Sequence, residues 1–199
     1  MKLLRSDQYQ RMPWKNGGGE TAQIVLSPED ATLTAFDWRI SMARVAIDGP
    51  FSLFPEVDRT LVILDGMGLS LHGPDASVME VAAGTAGVSF SGDTPLSARL
   101  LDGAITDLNI MTRRRAYRHR VQYLPQVCTG SIAVQPYTQL LVLAAGQLTV
   151  DSGIRGQMTS HDTVVIEPLE QATLHPEGNT MAYLIEIIPV TAHPPTLSR

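Results

Sequence analysis

Hydrophobic positions in this chain recur in short runs with the period of a β-strand. Phe36, Trp38, Ile40 and Met42 fall on one side of an extended segment, and Asp37, Arg39 and Ser41 on the other. That pattern predicts a strand with one apolar face. Asp37 is expected to meet solvent, and Arg39 and Ser41 to line a cavity. Thr60-Leu61-Val62-Ile63-Leu64 is an unbroken apolar, β-branched run between turn formers, the signature of a strand buried on both faces. Asp65-Gly66 then predicts a turn into Met67–Leu71, and so a hairpin. Leu96–Leu101, Asp102-Gly103 and Ala104–Met111 predict a second hairpin, and Gln139–Val150 a third of the same form. Ala22–Leu26, Ser77–Ala83, Gly87–Phe90 and Met181–Ile188 read as further strands. Residues 1–13 read as a short lead-in, and residues 192–199 as a loose tail.

Composition narrows the class. In 199 residues, 16 Gly and 13 Pro recur between the apolar runs, so turns are frequent and helices few and short. A hydrophobic share of 44% with 18% charged residues describes a globular chain with a sizeable core. The net charge of −5 argues against a dedicated nucleic-acid binder, which needs a basic field to neutralise phosphates. Arg113, Arg114, Arg115, Arg118 and Arg120 form the one charge run; it reads as a solvated connector and marks a boundary between halves 1–115 and 116–199, with a crossover of the N-terminal strand to the second half left open. Cys128, the sole cysteine, excludes an internal disulfide framework and reads as a small buried hydrophobe. No apolar h-region follows Met1, and no stretch approaches the ~18 apolar residues of a membrane span. A cytoplasmic location with no membrane partner is expected. His161 and His175, with no third His or Cys near, read as loop residues rather than a zinc site.

Two stretches carry candidate chemistry. In Trp14-Lys15-Asn16-Gly17-Gly18-Gly19-Glu20-Thr21 the three glycines permit either close approach of a ligand or a flexible turn with Trp14 plugging a barrel end. It is no P-loop, because the Lys precedes the glycines and a strand follows. In Thr106–Met111, Asp107 and Asn109 share one strand face, where they serve a ligand or a nearby cation.

The segment Asp48–Gly68 resembles the first signature of the cupin family, in which two His and a Glu precede a strand of the form Tyr-Val-Leu-x-Gly and hold a metal. With Val62–Gly66 laid on that strand, the Glu position falls on Arg59 and the two His positions on Phe54 and Ser52. None of these is a metal ligand, and Arg59 is a permanent cation. His161–Pro168 is similar to the second signature, yet Gln139 stands at its companion Glu position and Ala172 at its His position. The resemblance therefore implies two cupin-type β-barrels, an all-β bicupin, with no metal and no cofactor.

A closer resemblance rests on four motifs in order: Trp14–Thr21, Phe36–Ser41, Asp48–Pro55 with Asp58–Leu61, and Phe90–Asp93 with Asp107–Arg113. Together they resemble the HutD family, also called Ves-like proteins, over roughly residues 9–190. That family is associated with bacterial histidine utilisation and, in its Ves branch, with stress response, and has no established catalytic activity. The resemblance implies a small-carboxylate binder of the urocanate or formylglutamate type. Arg59 is the expected carboxylate partner, Lys15 an added charge, and Asn16, Asp107 and Asn109 polar contacts. Arg39 and Ser41 complete the lining, with Trp14, Phe54 and Trp38 as apolar walls. Two other readings stay open. One is a metal-independent isomerase, lyase or deformylase with Lys15 or Asp107 as base. The other is an interaction module using the Arg113–Arg120 run. Self-association as a homodimer is also left open.

Overall fold

The computed structural model describes residues 1–190, so the expected tail at 192–199 lies outside the described residues. The chain is all-β. Its strands are, in order, β1 (Lys2–Leu4), β2 (Gln10–Pro13), β3 (Gly19–Ser27), β4 (Trp38–Val45), β5 (Gly49–Pro50) and β6 (Val57–Asp65). Then follow β7 (Leu69–His72), β8 (Val78–Val81), β9 (Val88–Ser91), β10 (Ser97–Leu100), β11 (Ile105–Arg113) and β12 (Tyr117–Leu124). Last come β13 (Gly130–Ile132), β14 (Thr138–Asp151), β15 (Arg155–Met158), β16 (Thr163–Ile166) and β17 (Ala172–Pro189). One short 3₁₀ turn, Ser6–Gln8, is the sole helical element among the described residues.

Two sheets build the first half. One has the order β2-β3-β4-β11-β6-β9 and the other β5-β10-β7-β8. A single sheet of seven strands, centred on β14 and β17, builds the second half. The long β14 and β17 pair along most of their length, with register breaks near Ala145, and so serve both faces of that half.

The strand alternation read from sequence decides how the halves meet. Trp38, Ile40 and Met42 of β4 pack with Leu108 and Ile110 of β11 against Leu140, Val142, Tyr183, Ile185 and Ile187 of the second half, forming one core between the two. The opposite face of the same sheet turns inward. There Val45, Leu61, Ile63 and Ile105 meet Leu69, Leu71 and Ala98 of the four-stranded sheet. Phe36 leaves the alternation: it lies outside β4 and packs with Val57 and Met111.

None of the three expected hairpins forms. β6 belongs to the six-stranded sheet and β7 to the four-stranded one, so Gly66 and Gly68 carry the chain across the barrel rather than back along it. Gly68 has φ +115° and lies so close to Val81 that a Cβ would sit 2.2 Å from its carbonyl oxygen. β10 and β11 separate into different sheets in the same way. Gln139–Val150 is one continuous bent strand.

The lead-in is ordered too: β2 pairs with β3 in the first half, while the residues before it belong to the far half. β1 pairs with β16 (Leu3 opposite Val164), Arg5 and the Ser6 N–H both bond the buried Asp162, and the Tyr9 hydroxyl donates to the His161 carbonyl at 3.0 Å. His175 lies on β17 rather than in a loop, and Cys128 is exposed rather than buried. No described helix is long and apolar enough to cross a membrane.

Candidate functional site

The inward face of the six-stranded sheet is read row by row from its register. Arg39 on β4, Met111 on β11 and Arg59 on β6 lie side by side. The next inward row is Ser41, Asn109 and Leu61, and the one after it Ala43, Asp107 and Ile63. A sheet floor that is otherwise apolar thus carries a polar stripe. Above it opens a cavity of about 480 Å³. All nine residues singled out from sequence line this one space: Trp14, Lys15, Asn16, Arg39, Ser41, Phe54, Arg59, Asp107 and Asn109. Trp38 does not. It faces the core between the halves, because it lies one residue out of phase with the inward Arg39.

Arg59 is 4% exposed and meets no carboxylate within ion-pair range among the described residues. Its Nη1 donates to the Ser52 carbonyl at 2.9 Å and its Nε, more weakly, to Asn109 Oδ1 at 3.4 Å. The guanidinium carbon lies 5.1 Å from the Phe51 ring centre, 5.3 Å from Phe54 and 5.1 Å from Phe90. Such contacts are worth about 0.5–2 kcal/mol each, against several kcal/mol for burying the charge, so the box offsets only part of the cost. Burial pushes the Arg59 pKa down to about 10; the Asp107 charge opposes this and the Arg39 charge adds to it. The group stays cationic at neutral pH. Ser52 and Phe54, at the two positions where the cupin signature carries His, hold this arginine with a carbonyl and a ring. The donor set does not fit a divalent metal.

Arg39 is 7% exposed, and its one hydrogen bond is a weak contact of Nη1 with Met111 Sδ at 3.8 Å. Its Nε has no partner among the described residues. Asp107, 2% exposed, also has an unpartnered atom, Oδ1. Burial raises the Asp107 pKa to about 7, opposed by the Arg59 charge and by the Ala43 backbone N–H. Two cations and one easily protonated acid therefore share a nearly closed floor.

The glycine-rich turn forms the cavity's wall. Asn16 Oδ1 accepts from the Gly18 N–H at 3.0 Å, and the Trp14 indole donates to Thr21 Oγ1 at 2.9 Å. Gly19 is required for close approach: a Cβ there would sit 2.2 Å from the Arg44 carbonyl and 3.1 Å from the Trp14 ring. Lys15 and Asn16 are exposed at the mouth.

The arginine run is solvated at Arg114, Arg115, Arg118 and Arg120, as expected, but it is also held by partners. Arg114 pairs with Asp58 at 2.8 Å and Asp93 at 3.0 Å, and Arg113 donates to the Phe36 carbonyl at 3.0 Å. Arg118 and Arg120 lie on the outer face of β12. Between them, and missed in the sequence reading, His119 points inward. Its ring nitrogens lie 2.7 Å from Thr60 Oγ1 and 2.8 Å from Thr112 Oγ1, linking the two halves beneath the cavity floor. The strict alternation of Tyr117, His119 and Val121 against Arg118 and Arg120 was the signal.

An all-β chain whose arginine-floored cavity opens above the inward face of its six-stranded sheet has a cupin-like fold. The HutD family model matches residues 6–184, and the chain belongs to that family. It is 36% identical over 153 residues to an uncharacterized 21.2 kDa protein in the hutC 3′ region of Pseudomonas putida, covering 75% of this chain and 77% of that one. It is 37% identical over 117 residues to Protein Ves of Citrobacter koseri, covering 58% and 60%. The crystal structure of a conserved protein of unknown function from Pseudomonas aeruginosa PAO1 matches with TM-score 0.85 and 31% identity, over 94% of this chain and 98% of that one. A cupin 2 conserved barrel domain protein from Leptotrichia buccalis matches with TM-score 0.60 at 9% identity over 93% and 99%, a likeness of fold.

Proposed function

We propose that this chain is a non-catalytic binding protein for a small carboxylate. One observation carries the reading: a buried guanidinium, Arg59, lines a cavity and is held there by rings and a carbonyl rather than by an anion of the protein. An incoming carboxylate accepts from Arg59 as a charge-assisted pair, with Arg39 beside it as a second cation. Ser41 and Asn109 offer neutral hydrogen bonds, Trp14 and Phe54 the apolar walls, and Lys15 and Asn16 the mouth. The relative in the hutC 3′ region supports a pathway acid such as urocanate or formylglutamate as ligand. In the Ves branch the same pocket would serve a stress-related role. Neither nucleic acid nor membrane is part of this reading.

Calorimetry with urocanate, formylglutamate and glutamate tests it. Arg59→Ala is expected to weaken the best of these by about 1.5–3 kcal/mol, the worth of a hydrogen bond to a charged group. Unchanged affinity in the variant, or no binding of any acid by the native chain, defeats the reading.

A second reading has one observation in its favour. A buried carboxyl with an unpartnered oxygen and a pKa near 7 is what a general base requires, and Asp107 is such a group. On that reading the chain is a metal-independent enzyme acting on a small acid. Turnover of the same acids followed by NMR, abolished by Asp107→Asn, would establish it.

A further inference from the structure

A cleft of about 520 Å³ lies where the outer face of β3 and β4 meets the second-half sheet. Five consecutive residues of β3, Gln23 to Ser27, line it. Val25 stands opposite Ile40 and Ser27 opposite Trp38, on the face turned to the second half. Gln23 stands opposite Ser41 and Leu26 opposite Arg39, on the face turned to the arginine floor. A cleft that meets side chains from both faces of a strand reaches the strand's edge. That edge is open. β2 pairs with β3 from Glu20 to Gln23 and stops, while β3 runs on to Ser27. The main-chain N–H and C=O groups that Ile24–Ser27 turn away from β4 have no strand partner among the described residues.

Trp38 is 8% exposed at the floor of this cleft, and its indole N–H has no acceptor among the described residues. A buried indole N–H is ordinarily bonded, so the floor lacks an acceptor that a bound molecule would bring. Leu4, Val165, Pro168 and Ile187, on the side of the second half, wall the cleft opposite β3. Five extended residues span roughly 17 Å, which leaves a cross-section of about 30 Å², room for a single extended chain and not for the packed sheet of a second copy. The rim is acidic by one charge: Glu29 and Glu167 stand there with Lys2, whose ammonium is 3.9 Å from Glu29.

We infer that this cleft is a docking groove for an extended peptide segment of a partner protein, which adds as a strand along the free edge of β3. One of its carbonyls accepts from the Trp38 indole, and a Lys or Arg near one end meets Glu29 and Glu167. Main-chain pairing supplies the affinity, and the residues that pair cannot be proline, which has no N–H to give. The carboxylate cavity lies on the opposite face of the same sheet, so this inference stands apart from that reading.

A displayed library of random dodecapeptides, selected on the native chain, supplies the probes. Enriched peptides are expected to lack proline through a central stretch, to carry Lys or Arg near one end, and to slow amide hydrogen exchange at residues 24–27 by about fivefold or more. N-methylation of their four central amides keeps every side chain but removes the main-chain donors, and should weaken binding about tenfold or more, the worth of two hydrogen bonds. Glu29→Lys combined with Glu167→Lys, both exposed positions, should weaken it about fivefold. No enrichment, protection elsewhere than on β3, or equal binding of the N-methylated peptide overturns the inference. Self-association that protects residues 24–27 with no peptide present assigns the edge to a second copy and overturns it as well.

Discussion

His119 makes the most quantitative demand on this structure. Its imidazole is buried where the two halves meet, between Thr60 and Thr112, and burial lowers its pKa from the ordinary 6.5 to about 4, opposed only weakly by the Asp58 charge. The unfolded chain therefore binds a proton at His119 between those two values while the folded chain does not. The sign follows: this contribution to stability is complete above pH 6.5, falls as pH drops, and is gone near pH 4. Linkage places the loss at about 2 kcal/mol by pH 5 and about 3 kcal/mol at the acid end. Urea unfolding of native and His119→Ala chains from pH 7.5 to 4 reads it directly. At pH 7.5 the variant loses both threonine contacts and leaves a small void, for about 2–3 kcal/mol. Because it has no imidazole to charge, its stability falls less steeply on acidification, and the two curves converge near pH 4. A gap between them that stays constant over that range refutes the argument, as does an NMR titration of this ring with a midpoint near 6.5.

Three further substitutions test the packing in and around the site. Gly19→Ala drives a methyl group into the Arg44 carbonyl and the Trp14 ring and should cost about 2–4 kcal/mol with a shift in tryptophan fluorescence, whereas Gly17→Ala, at φ +71° in open space, should cost only about 1 kcal/mol by thermal unfolding. Trp38→Ala empties part of the core between the halves and should cost about 3–5 kcal/mol, yet leave acid affinity of the folded chain within twofold by calorimetry, since the indole faces away from the cavity.

Period-two patterning was legible wherever a strand separates two environments. In β4 it placed Arg39 and Ser41 on the inward face correctly, because one face had to be apolar throughout to pack on the second half. The same pattern misled on Trp38, since phase alone does not say which of two apolar spaces a face enters. The hairpins failed for a related reason. A strand, a glycine turn and a second strand look alike whether the chain returns along its own sheet or crosses to the facing one; β7 pairs on one side with β8, the next strand, and on the other with β10, some thirty residues on, which no local pattern names. Arg59 was legible through its motif, but its aromatic box was not. Phe51 and Phe90 come from separate loops and strands that meet only once the barrel closes. His119 lay hidden among arginines whose charge drew the reading toward solvent.

The pairing of β1 with β16 sets the order in which this protein can be finished. Leu3 leaves the ribosome long before Val164, its strand neighbour, exists. The second half is therefore finished by joining the strand made first to strands made last, and the two halves cannot form in turn as beads on a string would. The six-stranded sheet of the first half, with Ile40 and Ile110 fully covered in the native chain, must wait bare for those last strands to arrive. Severed near residue 115, the two pieces should each be insoluble alone and recover only when expressed together.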